Sequence, residues 1–215
     1  MKVVIKNFFR NSIANLTIRS VRHFMPDAEF YSLNLYKKNA AEYDFQPTLD
    51  VKAENIILHP SKYVDLGPSV GNKWNNLFFS EPYNLIYQHF KNADEKILMI
   101  AEDHFFTNGL TLKELQEKDF DVAYAQWNGY SAGVLCNHGV NGSILCINPK
   151  KVAAMFPISE EKTSVEHVLR AAIDKIDKNR QHALTTRYGA DYKGDGFYSN
   201  DAKEIKEALE KAGIF

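Results

Sequence analysis

Apolar positions along the chain fall into two periods. Short unbroken runs mark strands buried on both faces: residues 3–5 (Val-Val-Ile), 29–35, 55–59 and 96–101. Between the first two, Ile13, Leu16, Ile18, Val21 and Phe24 recur near helical spacing after Asn11 or Ser12, either of which can cap a helix. Strand, helix and strand in that order predict a right-handed crossover to a parallel neighbour. Residues 80–91 predict a second helix, with Pro82 in its first turn. Residues 111–118 predict a third, with Thr111 as its cap. Residues 121–126, 134–136 and 143–147 read as strands, the last two flanking a glycine-bearing loop. Helices follow at 149–156, at 164–178 and, strongly charged, at 201–212. Polar residues 36–54 carry no period and read mostly as loop.

The stretch 96–104 changes the picture from fold to chemistry. Its apolar run ends in Glu102, Asp103 and His104, and ligands of open α/β sheets bind outside the carboxyl ends of such strands. On an extended chain Glu102 and His104 face one side and Asp103 the other, which offers an oxygen and a nitrogen ligand to one divalent cation. The competing expectation is a helix N-terminus capped by Asp103.

Composition narrows the classes. A net charge of −1 gives no reason to expect nucleic acid as a partner. No apolar run approaches the ~20 residues of a membrane span, and the N-terminus lacks the pattern of a signal peptide. Two cysteines, Cys136 and Cys146, cannot make a disulfide framework. A cytoplasmic location is expected. Nothing in the composition forces a second domain, so residues 1–215 are expected to form one.

The order of these features resembles a small glycosyltransferase of the GT-A fold, the family 2 type most. It rests on Val3 to Arg10 as the base-cupping strand and turn, and on Gly71-Asn72-Lys73 as a nucleotide-contacting segment. It rests also on Glu102-Asp103-His104 in place of an Asp-x-Asp motif, on Asn141-Gly142-Ser143, and on Glu166-His167 opening a helix. The resemblance implies an α/β, Rossmann-like mixed sheet, mostly parallel and flanked by helices. It implies a nucleotide-binding half (1–104), an acceptor-side half (105–186) and a C-terminal loop and helix (187–215).

It further implies a metal-dependent transfer of sugar from a nucleotide-diphosphate sugar, most simply a UDP-sugar, to the hydroxyl of a glycan, lipid or protein. Asn7, Phe8, Arg10, Asn72 and Lys73 would contact the nucleotide. Glu102, Asp103 and His104 would hold Mn²⁺ or Mg²⁺, with His182 as a further ligand; the nitrogen ligand favours Mn²⁺. His138, Gly142 and Ser143 would line the acceptor side. Glu166 would be the base if the enzyme inverts, although a helix start favours an acidic residue there in any case. The aromatic, glycine-bearing segment 188–198 suits a mobile lid or a self-packed loop. The alternatives are a sugar-phosphate nucleotidyltransferase and a degenerate module that binds nucleotide or sugar without turnover. The glycine-rich basic loop of a nucleotidyltransferase is missing after the first strand.

Overall fold

The computed structural model describes residues 1–8, 10–36, 48–61, 69–70, 73–74, 76–131, 134–158, 164–189, 192–199 and 201–215. Its strands are β1 (Lys2–Asn7), β2 (Glu29–Tyr36), β3 (Ile56–Pro60), β4 (Ser69–Val70), β5 (Lys73–Trp74) and β6 (Ile97–Ala101). They continue with β7 (His104–Phe105), β8 (Val122–Ser131), β9 (Val134–Ile147), β10 (Gln181–Gly189) and β11 (Phe197–Tyr198). The helices are α1 (Asn11–Phe24), α2 (Asn76–Phe90), α3 (Leu110–Glu117), α4 (Val165–Ile173) and α5 (Ala202–Lys211).

Seven strands form one sheet in the order β10-β8-β9-β6-β1-β2-β3. β9 runs antiparallel to both neighbours and the remaining pairs are parallel, so the sheet is mixed and mostly parallel as expected. Alternation along the central strands sorts their side chains into two cores. Val4 and Met99 face α2 and α4 through Tyr83, Ile86, Val168 and Leu169. Val3, Ile5, Leu98 and Ile100 face the other way, onto Ile18 and Val21 of α1 and Leu112 of α3. Buried on both faces, these strands have no polar alternation to show, which is why they read as continuous apolar runs. α5 adds a third cluster, where Ile205 and Leu209 pack with Ile13 and Phe105.

Several boundaries differ from the sequence expectation. α3 begins at Leu110 behind Gly109, whose φ of +68° places it in the left-handed region. A Cβ there would come within 2.4 Å of the Phe24 ring, so glycine is required and Thr111 is not the cap. α2 starts earlier than expected, which puts Pro82 inside it. α4 stops at Ile173, where Gln181 Nε2 donates to the carbonyls of Ile173 and Ile176 and satisfies groups that a longer helix would have bonded itself. Residues 149–156 hold only the 3₁₀ turn Ala153–Met155. The expected loop between residues 136 and 143 belongs to the continuous strand β9, which pairs with β8 as far as Ser131↔Val134.

Candidate active site

The switch in strand order falls between β1 and β6: the chain leaves β1 toward β2 and β3, and β6 lies on the opposite flank. That is where an open α/β sheet opens a crevice beyond its carboxyl ends. Lys6 and Ala101 are in register there, and the amide of Glu102 donates to the Lys6 carbonyl at 3.2 Å. The last residues of β1 and the first after β6 therefore share one edge.

Glu102 and Asp103 form a turn between β6 and β7. Strand alternation breaks at that turn, so both carboxylates reach the same partner and His104 does not join them. Arg10, in the turn between β1 and α1, holds both. Its Nη2 lies 2.5 Å from Glu102 Oε1 and 2.9 Å from Asp103 Oδ2, and its Nε donates to Glu102 Oε1 at 2.8 Å. The Glu102 side chain is 1% exposed and that of Arg10 is 37% exposed. Burial pushes the Glu102 carboxyl up to about 7, and the Arg10 charge opposes the shift.

His104 turns inward. Its side chain is fully buried, Nε2 lies 2.8 Å from the Tyr188 hydroxyl, and the ring packs against Phe106, Tyr188 and Tyr198. Burial, with the Lys6 charge adding to it, depresses its pKa to about 3, which keeps the ring neutral. Nδ1 is buried with no partner among the described residues. Gly196 closes this cage at φ +119°, where a Cβ would stand 2.9 Å from His104 Nε2. His182 is also elsewhere. It is level with Ala123 and, through β9, with Leu98 at the start of β6, so it lies at the opposite end of the sheet from Glu102. There its Nε2 meets Glu114 Oε1 at 2.8 Å. Among the described residues no three His, Cys, Asp or Glu side chains converge as a metal site.

Lys6, which no sequence pattern singled out, ties the two halves together. Its buried Nζ donates to the Gly142 carbonyl at 2.6 Å and to the Tyr83 hydroxyl at 2.7 Å, and stands 4.1 Å from the Tyr83 ring centroid. Burial lowers its pKa to about 7 against the pull of Glu102 and Asp103. The Tyr83 hydroxyl also donates to the Gly142 carbonyl. A Cβ on Gly142 would meet only ordinary contacts, so its carbonyl rather than its smallness matters here. Next to it Asn141 Oδ1 accepts from the Ser143 amide at 2.8 Å and from the Tyr198 hydroxyl at 2.6 Å. Glu166, in the first turn of α4, is close enough to raise the pKa of both Tyr83 and Tyr198, although burial is the larger cause for each. Its Oε2 is buried without a partner among the described residues.

The remaining expected residues divide. Asn7 is buried, and its Nδ2 donates to Asn11 Oδ1 and Asn34 Oδ1 while its Oδ1 accepts from the Arg10 amide, so it builds the turn that presents Arg10. Phe8 is half-buried against the core. His138 is exposed on the β8–β9 hairpin at φ +61°, its amide donating to Asn128 Oδ1. Asn72 and the Lys73 side chain lie outside the described residues. The described part of 188–198 is pinned rather than lid-like. Asp195 is buried and accepts from the amides of Thr107, Asn108 and Thr111, and Phe197–Tyr198 pairs with β7. The one local signal for Lys6 in the sequence is a lysine directly after the apolar run of residues 3–5.

No protein-family model matches the chain, and no curated protein matches it. Solved structures do. A galactosyltransferase, LgtC, in complex with donor and acceptor sugar analogues superposes with a TM-score of 0.57 at 14% identity, covering 98% of this chain and 96% of its own. The inositol-1-phosphate CTP transferase from T. maritima superposes at 0.55 and 15% identity, over 98% and 95%. This chain therefore has the Rossmann-like, GT-A type of fold found in both a sugar transferase and a nucleotidyltransferase.

Proposed function

We propose that the protein is a glycosyltransferase that moves a sugar from a nucleotide-diphosphate sugar, a UDP-sugar in the simplest case, to an acceptor hydroxyl with the help of a divalent cation. The observation that carries this reading is the charged set at the switch point: Glu102 and Asp103 beyond β6 facing Lys6 near the end of β1 and Arg10 just beyond it. Two carboxylates that already converge on one cationic nitrogen have the disposition of a pair that could hold Mn²⁺ or Mg²⁺, the remaining ligands being water and phosphate oxygens. With His104 turned away, an oxygen-only pair suits either ion. The bound ion would neutralise charge on the diphosphate as it leaves.

Lys6 and Arg10 would add fixed positive charge for the phosphate oxygens. Asn7 holds the turn, Phe8 lies beside the base site, and Asn72 and Lys73 complete the nucleotide contacts in this reading. On the acceptor side Gly142, Ser143 and His138 border the cleft. Glu166 takes the proton from the attacking hydroxyl; its unpartnered buried oxygen is the observation behind that role. The acceptor is a glycan, lipid or protein hydroxyl.

Calorimetric titration of UDP, GDP and CMP with and without Mn²⁺ tests the donor class. Binding of one nucleotide that strengthens with Mn²⁺ and is lost in Glu102→Ala supports the reading; no binding of any of them rejects it. A second reading, nucleotidyl transfer to a sugar phosphate, is favoured by the likeness to the CTP transferase. Release of pyrophosphate from CTP or UTP, instead of nucleoside diphosphate from a UDP-sugar, would select it. Either release excludes a module that only binds.

A further inference from the structure

Both carboxylates at the proposed metal site are already neutralised by a residue of the chain itself. Arg10 Nη2 stands within hydrogen-bond distance of one oxygen of Glu102 and one of Asp103, the position a shared cation would take. Two cations cannot occupy the same pair of oxygens without strong repulsion. Glu102 is sealed from solvent, whereas the Arg10 side chain bonded to it is more than a third exposed, so departure of Arg10 is what would open Glu102. Arg10 has somewhere to go. It immediately precedes α1, whose N-terminus carries no side-chain cap and no acidic residue in its first turn, an electrostatic setting that favours phosphate.

We propose that Arg10 is the resting counter-ion of the Glu102–Asp103 pair and exchanges partners during loading. A divalent cation displaces the guanidinium from the carboxylates, and the freed guanidinium turns to the donor's diphosphate. This rests on the metal and donor assignment above. It adds an order: the cation precedes the nucleotide, because its arrival frees the guanidinium that the diphosphate takes up. It also explains why Glu102 is buried although a metal ligand must be reachable.

The consequence runs opposite to that of an ordinary binding residue. Removing Arg10 removes a competitor for the metal and a ligand for the phosphates at once. The test is calorimetric titration of Mn²⁺ into the nucleotide-free full chain, followed by UDP at saturating Mn²⁺, for the wild type, Arg10→Met, Arg10→Lys and Glu102→Gln. Arg10→Met is expected to bind Mn²⁺ about tenfold more tightly than the wild type and UDP about tenfold more weakly, with Arg10→Lys between them. Mn²⁺ binding by Arg10→Met that is equal to or weaker than wild type, while Glu102→Gln abolishes it, overturns the exchange and leaves the metal site standing. Mn²⁺ binding unchanged in Glu102→Gln rejects the metal site itself and the exchange with it. If Arg10→Met fails to fold, Arg10→Lys decides alone: tighter Mn²⁺ binding than wild type supports the exchange, and equal or weaker binding overturns it.

Discussion

The ammonium of Lys6 donates to the carbonyl of Gly142 at 2.6 Å, joining the end of the first strand to the middle of β9. It also feels the charges of Glu102 and Asp103 beyond β6, so one buried cation links the two halves that the proposed function assigns to donor and acceptor. A buried charge of this kind contributes little net stability, because desolvation offsets most of the attraction. Lys6→Met should therefore shift the unfolding free energy by no more than about 1 kcal/mol, since the Gly142 carbonyl keeps the Tyr83 hydroxyl. It should lower kcat/KM for sugar transfer by about 100-fold through loss of fixed charge at the phosphates. Urea melts and donor-turnover assays on the same preparation check both halves.

The position of Glu102 makes a prediction about pH. Burial raises its carboxyl from 4.5 to about 7, so the folded chain keeps a proton that the unfolded chain releases across that window. More protons bound in the folded state means that this group's contribution to stability falls as pH rises from 4.5 to about 7. Glu102→Gln cannot titrate. Relative to wild type it should be near-neutral at about pH 4.5 and more stable by up to about 3 kcal/mol above pH 7. Chemical denaturation of both proteins in chelator at the two ends of the window gives the comparison. A Gln variant that loses ground as pH rises would show that Arg10 outweighs burial.

Asp195 anchors the segment that the sequence suggested could be a lid. Its carboxylate is fully buried and accepts three amides at the start of α3, at 3.0, 3.1 and 3.2 Å. Asp195→Ala strands those donors and should cost about 2–4 kcal/mol, with Asp195→Asn costing less. In hydrogen exchange the amides of Thr107, Asn108 and Thr111 should be protected in wild type and lose protection in the alanine variant. Rapid exchange at all three in wild type would restore the mobile lid.

What the sequence made legible and what it hid have physical causes. β1, α1, β2 and β6 were readable because burial on two faces, or on one helical face, imposes a composition on every position. The acidic strand end was readable for the same reason, since two carboxylates stop an apolar run abruptly. The partner of that pair was not, because Arg10 belongs to a turn 92 positions upstream of Glu102 and no local period links them. His104 departs from the alternation expected along an extended chain because the chain turns at Glu102 and Asp103. The β8–β9 hairpin reads as separate pieces because Asn137, Gly139 and Asn141 are turn formers, yet β9 runs from Val134 to Ile147 as one strand, with an irregular register against β8 and a left-handed residue at His138. Lys6, Tyr83 and Tyr198 are joined only by the fold.

The placement of His182 separates the sheet register from the family resemblance. The resemblance makes it a metal ligand; the register puts it beside Glu114, at the other end of the sheet. His182→Ala should leave Mn²⁺ affinity within about twofold of wild type and lower stability by about 1–2 kcal/mol, since it strips a partner from a mostly buried carboxylate. Manganese titration followed by electron paramagnetic resonance reads the first, and thermal melts the second. A tenfold loss of Mn²⁺ affinity would refute the placement.

Glu166 presents the sharpest chemical contrast among the candidate site residues. One carboxylate oxygen is buried without a partner among the described residues, and the side chain sits near Tyr83 and Tyr198 at the start of α4. A helix start accounts for an acidic residue there but not for leaving its oxygen unpaired, which costs stability. An acceptor hydroxyl would pair with it and lose its proton to it as the sugar moves. Glu166→Gln keeps the shape and removes the basicity. It should lower kcat by about 10²–10⁴-fold while leaving UDP affinity within a factor of about two, because the proposed nucleotide contacts lie at the ends of β1 and β6 and not on α4. It should also leave stability unchanged or raise it, since a neutral amide is cheaper to bury than a charge. Single-turnover transfer assays with nucleotide calorimetry separate these terms. A Gln variant with wild-type kcat would remove Glu166 from the proton transfer and assign the carboxylate to helix electrostatics alone.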